Sequence, residues 1–334
     1  MAGYKKFNFV FFLNSAADYY KFRFYDALAL SNVRLIEFNA ANVNDQLVLN
    51  FKPYCPENNP AVFLKDFDVN SPQAFIQDFL TDAPVVFFFW ATDYNLFRMF
   101  DFFNHLRSDY PGCKLVCYLT NPIYYYQNVQ KIFIDKATTD EVLSTFDCVL
   151  SYNQVDAINY GLTYFVGQYS IVPFEQPNLT SDIFFVGRPK NRFEKILQVY
   201  QSFKVAGFIC DFYIYGVTNP PSINSDDLHF NKYLSYAEVL EHVWRSRAVL
   251  DIAQYGTYAL TMRYFESLAY NKIFITDNAF YRQDRFNSPK LFLIDKNLEI
   301  DKEQFMSASK LPSNYRNEYS PLHMISFLEA VLNS

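Results

Sequence analysis

GTYALTMRYFESLAYNKIFITDN, residues 256–278, decides the reading of this chain. A glycine-containing turn runs directly into a short helical pattern. That pattern carries Arg263 and Glu266 three positions apart, so both project from one face near the helix start. Asn271 marks the helix end, and the apolar run 273–276 reads as a strand. A helix N-terminus presents backbone N–H groups without intrahelical partners and a partial positive charge, which suits a diphosphate. An adjacent arginine adds a bidentate clamp. A carboxylate one turn further on accepts hydrogen bonds from ribose hydroxyls. Together these residues are the parts of a sugar-nucleotide site.

Outward from this unit, short apolar runs alternate with amphipathic helical stretches. In the first half the strand candidates are 7–13, 33–38, 85–90, 114–119, 148–151 and 170–172. Helical stretches fall near 19–30, 71–80, 96–107, 124–132 and 139–145. Several strand candidates are unbroken apolar runs, the pattern of parallel strands covered on both faces. PFEQPNLT, residues 173–180, reads as a linker. Beyond it the rhythm restarts with strand 183–186, ending in Gly187. Asn191-x-x-Glu194, close to a capping box, opens a helix that buries Phe193, Ile196, Leu197, Tyr200 and Phe203. Strand 209–215 ends in Gly216, and a strict capping box, Ser235-x-x-Glu238, opens the next helix before strand 248–252. Two successive βαβ series predict an α/β protein of two Rossmann-like, doubly wound parallel-sheet domains facing a cleft. The predicted domains are 1–174 and 175–318, with residues 319–334 forming a helix that packs back on the first domain.

Composition narrows the class. A chain of 334 residues suits two domains. With 51% hydrophobic and 19% charged residues it is expected to be globular, and its 37 Phe and 27 Tyr must fill core positions that aliphatic residues fill elsewhere. With a formal net charge of −6, nothing in the sequence looks like the basic face that a nucleic-acid partner needs. Cys55, Cys113, Cys117, Cys148 and Cys210 have no metal-site spacing and read as reduced core cysteines of a cytoplasmic protein. Residues 1–13 read as a first strand, not a secretory leader, and no apolar stretch is long enough to cross a bilayer. Two aromatic-basic stretches, YYKFRFY at 19–25 and FRMFDFFNHLR at 97–107, read as core helices. Peripheral contact with the inner face of a membrane is the alternative.

Four segments in order carry a resemblance: FFVGRPKNR at 184–192, DFYIYGV at 211–217, YLSYAEVLEHVWRSRAVLDI at 233–252, and the opening stretch. Over about 182–295 the chain resembles the donor-binding domain of GT-B glycosyltransferases. The likeness is to the bacterial enzymes that build capsular polysaccharide, exopolysaccharide or lipopolysaccharide. The resemblance implies a nucleotide-sugar donor, UDP-sugar first, a glycan or lipid-linked acceptor, and no bound cofactor or metal. It assigns diphosphate contacts to Gly187, Arg188, Lys190 and Arg192. It also assigns a close nucleotide approach to Gly216, base contacts to Tyr233 and Ser235, further diphosphate contacts to Thr261 and Arg263, and the ribose to Glu266. The family's E-x7-E pattern is broken here, because its first glutamate falls at Tyr258.

Glycosyl transfer also needs a base for the acceptor hydroxyl. Asp18, after the first strand, and Asp93, after the strand ending at Trp90, are the two catalytic candidates, and Asp18 reads equally as a helix cap. Asp66-Phe67-Asp68 is a D-x-D of the kind that holds a divalent cation in GT-A enzymes, set aside because such enzymes form one continuous domain. Two other readings stay open: a sugar-nucleotide epimerase on the same architecture, and a non-catalytic partner subunit of another glycosyltransferase.

Overall fold

Unbroken apolar runs become central strands. In the computed structural model, which describes residues 6–14, 23–27, 30–43, 46–53, 83–91, 100–128, 131, 135–172, 178–223, 225–253, 259–283, 291–294, 300–308 and 318–334, every residue of strand β4 (Val85–Ala91) is buried. The chain divides into two compact units, Met1–Gly167 with Pro321–Ser334, and Gln168–Ser320.

The first unit holds β1 (Asn8–Asn14), β2 (Val33–Val43), β3 (Gln46–Pro53), β4, β5 (Lys114–Leu119), β6 (Cys148–Ser151) and β7 (Thr163–Tyr164), in the order β3-β2-β1-β4-β5-β6-β7. Side chains alternate faces along a strand. Phe9, Phe11, Phe88 and Trp90 therefore fill one side of the sheet, and Val10, Phe12, Phe87 and Phe89 the other. Register brings like to like: Phe12 lies opposite Phe89, with ring centroids 4.7 Å apart and planes nearly parallel. One face is covered by α1 (Phe100–Asp109), α2 (Ile123–Asn128) and α3 (Lys136–Leu143), through Phe103, Leu106, Ile123, Tyr126 and Val142. α4 (Gln154–Tyr160) follows β6. The other face is covered by α9 (Pro321–Leu332), which inserts Met324, Ile325 and Leu328.

The second unit holds β8 (Ser181–Gly187), β9 (Cys210–Ile214), β10 (Leu228–Phe230), β11 (Ser246–Asp251), β12 (Ile273–Thr276) and β13 (Leu291–Leu293), all parallel, in the order β10-β9-β8-β11-β12-β13. α5 (Phe193–Val205) buries Ile196, Val199 and Phe203 against one face, joined by Phe305 of α8 (Lys302–Ser307). α6 (Tyr236–Arg245) and α7 (Met262–Ala269) complete the unit. Ser235 and Glu238 form the expected capping box at α6.

Three expectations change. β2 extends to Val43 and pairs antiparallel with β3, so the first sheet is not wholly parallel. Residues 170–172 form no strand. They follow Tyr169, whose N–H donates to Tyr319 O at 2.7 Å, and the Val172 N–H donates to Tyr270 Oη. Asn191 does not cap α5. Lys190 adopts a left-handed φ of 46°, a turn closes from Arg192 N to Pro189 O, and Arg192 occupies the cap without a side-chain cap bond. Cys113, Cys117, Cys148 and Cys210 are buried free thiols, and Cys55 lies outside the described residues. Among the described residues no helix is long and apolar enough to cross a membrane.

Leu328 is fully buried on α9. Leu328→Ala is expected to destabilise the first unit by about 3 kcal/mol, read as a lower urea midpoint with an unchanged m-value.

Candidate functional site

Strand order reverses between β8 and β11: the chain runs from β8 to β9 and β10 on one side, then to β11, β12 and β13 on the other. At such a reversal the following connections diverge and leave a crevice at the carboxyl ends of the strands. A cavity of about 260 Å³ lies there. Val186 and Gly187 from the end of β8, Leu250 and Asp251 from the end of β11, Thr261, Met262 and Arg263 from the start of α7, and Arg192 from the turn before α5 line it.

Each wall has a local cause. Thr261 caps α7, accepting from Tyr264 N, and its own N–H donates to Tyr281 Oη at 3.1 Å. This fixes the positive end of the α7 dipole at the cavity. A Cβ on Gly187 would meet Phe185 at 3.5 Å and the Arg192 guanidinium at 3.6 Å, both ordinary contacts. Its missing side chain leaves cavity space and is not demanded by crowding. Arg192 Nη2 donates to Arg188 O at 3.4 Å. Burial pushes its guanidinium down, Arg263 adds to that, and Asp251 and Asp277 oppose it.

Arg263, half-buried at the cavity wall, and Glu266, fully buried, form an ion pair across one turn of α7. Burial pushes the Arg263 guanidinium down, but Glu266, Tyr236 and Asp251 together hold it above its ordinary value. A second guanidinium nitrogen reaches Val186 O at 3.4 Å, tying α7 to the end of β8. Tyr236 Oη donates to the other Glu266 oxygen at 2.8 Å and lies 2.9 Å from Tyr169 Oη. Since a carboxylate only accepts, Tyr236 gives its proton to Glu266 and Tyr169 donates to Tyr236.

The structure brings Gly187, Arg192, Thr261 and Arg263 to one cavity. It treats the other residues named from the sequence differently. Glu266 is fully buried, and both of its oxygens are engaged within the protein. It does not reach the cavity with an oxygen for a ribose; it orients Arg263. The Gly216 and Val217 N–H groups both donate to Asn231 Oδ1, at 2.9 and 2.8 Å, and Gly216 has a φ of +81°. Its glycine serves that turn, and its amide is not offered to a nucleotide. The Ser235 hydroxyl is consumed by its cap with Glu238, at 2.7 Å. Arg188 is exposed, with its guanidinium 5.4 Å from the centroid of Tyr215. Tyr215 in turn meets Tyr233 edge to face at 5.9 Å, and Tyr233 is 65% exposed. Lys190 is displaced below its ordinary value by burial, then by the charges of Arg192 and Arg188. Asp18, Asp93, Tyr258 and the Asp66–Asp68 motif lie outside the described residues. The strands that precede Asp18 and Asp93, β1 and β4, are the neighbours at which strand order reverses in the first unit.

Sequence reasoning missed Asp251, Asp277 and Lys195. Asp251 ends β11, lines the cavity and is buried. Burial raises its carboxyl to about 6 against the pull of Arg192, the Thr261 hydroxyl and Arg263, and Asp277 raises it further. Asp277 pairs with Lys195 and accepts from Ala253 N at 2.6 Å. The signal was present: each aspartate directly follows an apolar strand run, at the carboxyl end where such sheets bind ligands.

No protein-family profile matches the chain, and no characterised protein matches it in sequence. Among solved structures it is similar to TarM, at 13% identity and a TM-score of 0.51, over 88% of this chain and 68% of that one. Looser likenesses, each at a TM-score of 0.45, are to the glycotransferase of kitacinnamycin (10% identity, 97% of this chain and 99% of that one) and to the DNA-modifying β-glucosyltransferase described with uridine diphosphoglucose (12%, 97% and 94%). The fold is a two-domain Rossmann-like α/β fold.

A carboxyl raised in the folded state binds its proton more tightly there than in the unfolded chain. Asp251 therefore opposes folding increasingly as pH rises from about 4 to about 6, and by a constant amount above that. Asp251→Asn is expected to raise stability at pH 8 by on the order of 2–3 kcal/mol and to bring no such gain at pH 4, measured as the difference in thermal unfolding between variant and parent at both pH values.

Proposed function

We propose that the protein is a glycosyltransferase of GT-B type that moves a hexosyl group from a nucleotide sugar, a UDP-sugar first, to a glycan or lipid-linked acceptor. The observation that carries the reading is the second unit's cavity. It sits where strand order reverses, under the N-terminus of α7, with Arg192 and Arg263 in its wall. Arg188 and Lys190 add positive charge on the loop after β8.

The reaction breaks the bond from the anomeric carbon to the diphosphate oxygen and forms one to the acceptor oxygen. The electron pair of the broken bond stays on the diphosphate, whose negative charge grows in the transition state. Fixed guanidinium groups and a helix N-terminus stabilise that charge without reorganisation, so the chemistry proposed is metal-independent. Tyr215 and Tyr233, aromatic and solvent-facing beside Arg188, suit the nucleobase. The acceptor's proton passes to a carboxylate of the first unit, Asp18 or Asp93, each following a strand at that unit's reversal point. We place the reaction in surface polysaccharide assembly, of the capsule or lipopolysaccharide kind, on the cytoplasmic side of the membrane that carries the acceptor. The sequence resemblance over 182–295 supports that placement.

A thermal-shift series against UDP, GDP, dTDP and CMP sugars tests the donor. Ligand at a hundred times its Kd stabilises the native state by about 2.7 kcal/mol, so at least one is expected to raise the melting temperature. Arg263→Ala is expected to abolish that rise and to lower donor hydrolysis at least tenfold, with parent hydrolysis unchanged by EDTA. No response to any of the sugars sinks the proposal, and sensitivity to EDTA sinks its metal-independent form.

A further inference from the structure

Away from the cavity, on the other face of the second sheet from α5, rings from four elements gather around one carboxylate. Phe184 of β8 and Asp211 and Tyr213 of β9 share that face, and His229 of β10 stands beside Tyr213 in register. The His229 and Tyr213 ring centroids are 4.5 Å apart. His242 of α6 stacks on Phe184 at 5.3 Å, meets Tyr213 edge to face at 5.0 Å, and lies 2.6 Å from Asp211 Oδ2 through Nδ1. Since a carboxylate only accepts, Nδ1 carries the proton of that bond. The Lys232 ammonium lies 5.5 Å from the Tyr213 centroid. None of these groups lines the cavity. Among the described residues no three His, Cys, Asp or Glu side chains are placed to hold a metal ion.

The basic groups around Tyr213 outnumber the carboxylates that could match them. His229, His242 and Lys232 face the one ring, and Asp211 is engaged by His242. Further out, Asp227 accepts from Lys204 and from Tyr200, each at 2.6 Å, and Glu238 is engaged by Ser235 in the α6 cap. Tyr213 adds no charge, because burial and then Asp211 raise its hydroxyl to about 12. A proton arriving on His229 therefore meets the Lys232 ammonium and carboxylates already engaged. The strand it would disturb is weakly held. β10 is three residues long and lies at the sheet edge, with a partner on one side only. Directly after it, the Asn231 N–H donates to Ile214 O at 2.9 Å, and the Asn231 side chain accepts from the Gly216 and Val217 amides. Tyr233, two residues on, meets Tyr215 edge to face. We propose that His229 is a proton-sensitive clasp: its neutral ring, seated on Tyr213, holds β10 and the loop 231–235 in place, and its protonation beside Lys232 loosens both. On the nucleotide-sugar reading above, Tyr233 faces the nucleobase, so the donor is held less well on the acid side. The clasp itself does not depend on that reading.

Burial, then Lys232, hold the His229 imidazole below its ordinary value; Asp211 opposes them, His242 adds to them, and Asp227 opposes. A histidine displaced downward contributes its full stability above about 6.5 and loses it as pH falls through its folded-state value. Hydrogen–deuterium exchange of the full chain without ligand, followed from pH 7.5 to pH 4.5, tests the clasp. Rates are expressed as protection relative to the intrinsic rate at each pH, so the pH dependence of the exchange chemistry cancels. Protection of residues 228–233 in the parent is expected to fall roughly fivefold on the acid side, the scale of one like-charge contact near a surface, while α5 keeps its protection. The fall is expected to follow the protonation of His229, read from its imidazole ring shifts by NMR. His229→Phe keeps a ring on Tyr213 and cannot take a proton, so the fall is expected to disappear. Lys232→Gln, which leaves the stack untouched should the phenylalanine not fold, is expected to make the fall smaller. Constant protection in the parent, a fall shared equally by α5, a fall out of step with His229, or an undiminished fall in His229→Phe or Lys232→Gln each overturns the proposal. Because exchange is read without ligand, failure of the donor reading leaves this result standing, and failure of the clasp leaves the donor reading standing.

Discussion

An ion pair at the cavity wall holds the second unit's site together. Arg263 meets Glu266, which is fully buried and whose charge alone would be strongly disfavoured. Their attraction offsets desolvation only if the remaining donors and acceptors are also satisfied. Tyr236, backed by Tyr169, supplies the second bond to Glu266, and Val186 O takes a second guanidinium nitrogen. Arg263 is thus fixed from three directions: its own helix, the end of β8, and the chain of two tyrosines. A guanidinium held this way needs no reorganisation when an anion arrives, which is what electrostatic preorganisation requires. The same arrangement leaves Glu266 fully buried, with each oxygen already accepting a hydrogen bond and no surface turned to the cavity.

Topology determines where that arginine points. Parallel strands covered on both faces need side chains that fill space on both sides, and here phenylalanine and tyrosine do it. Phe9 and Phe11 face one layer while Val10 and Phe12 face the other. The polar residues of the central strands fall near their ends, as with Asn8 of β1, Asp182 of β8 and Asp251 of β11. Function is displaced to the strand ends, and strand order selects which ends. In the second unit the reversal falls between β8 and β11, so residues immediately after Val186 and Leu250 become the wall of the cavity.

Much of this was legible in the sequence, for physical reasons that can be named. Runs such as VVFFFWA and the capping box at Ser235 carry strong local signals, and the structure follows both. Arg192 and Arg263 could be placed at one cavity because each lies near the carboxyl end of a strand run or at a helix start. What escaped depended on pairing across the chain. The extension of β2, NAANV at 39–43, lacks an apolar run and is held by its antiparallel partner, while β3, QLVLNFKP, carries an apolar signal at Leu47–Leu49 that marks a further strand. Asn191 has the residue type of a cap, but the left-handed turn at Lys190 moves the helix start by one position and gives the cap to Arg192. The burial of Glu266 rested on Tyr236, thirty residues earlier and invisible to any local reading.

The charges of the site sort into a pattern that explains how an aspartate sits beside an anion site. Arg263 is matched by Glu266, and Lys195 by Asp277. Asp251 then stands against Arg192, so the wall itself is close to neutral. Further out lie Arg188 and Lys190, where burial, then the neighbouring like charges, push the Lys190 ammonium down. On the proposed reading, the diphosphate of a donor lies toward that loop and the start of α7 and away from the Asp251 carboxyl. The reverse placement would set phosphate against a carboxylate, which like-charge repulsion at short range disfavours.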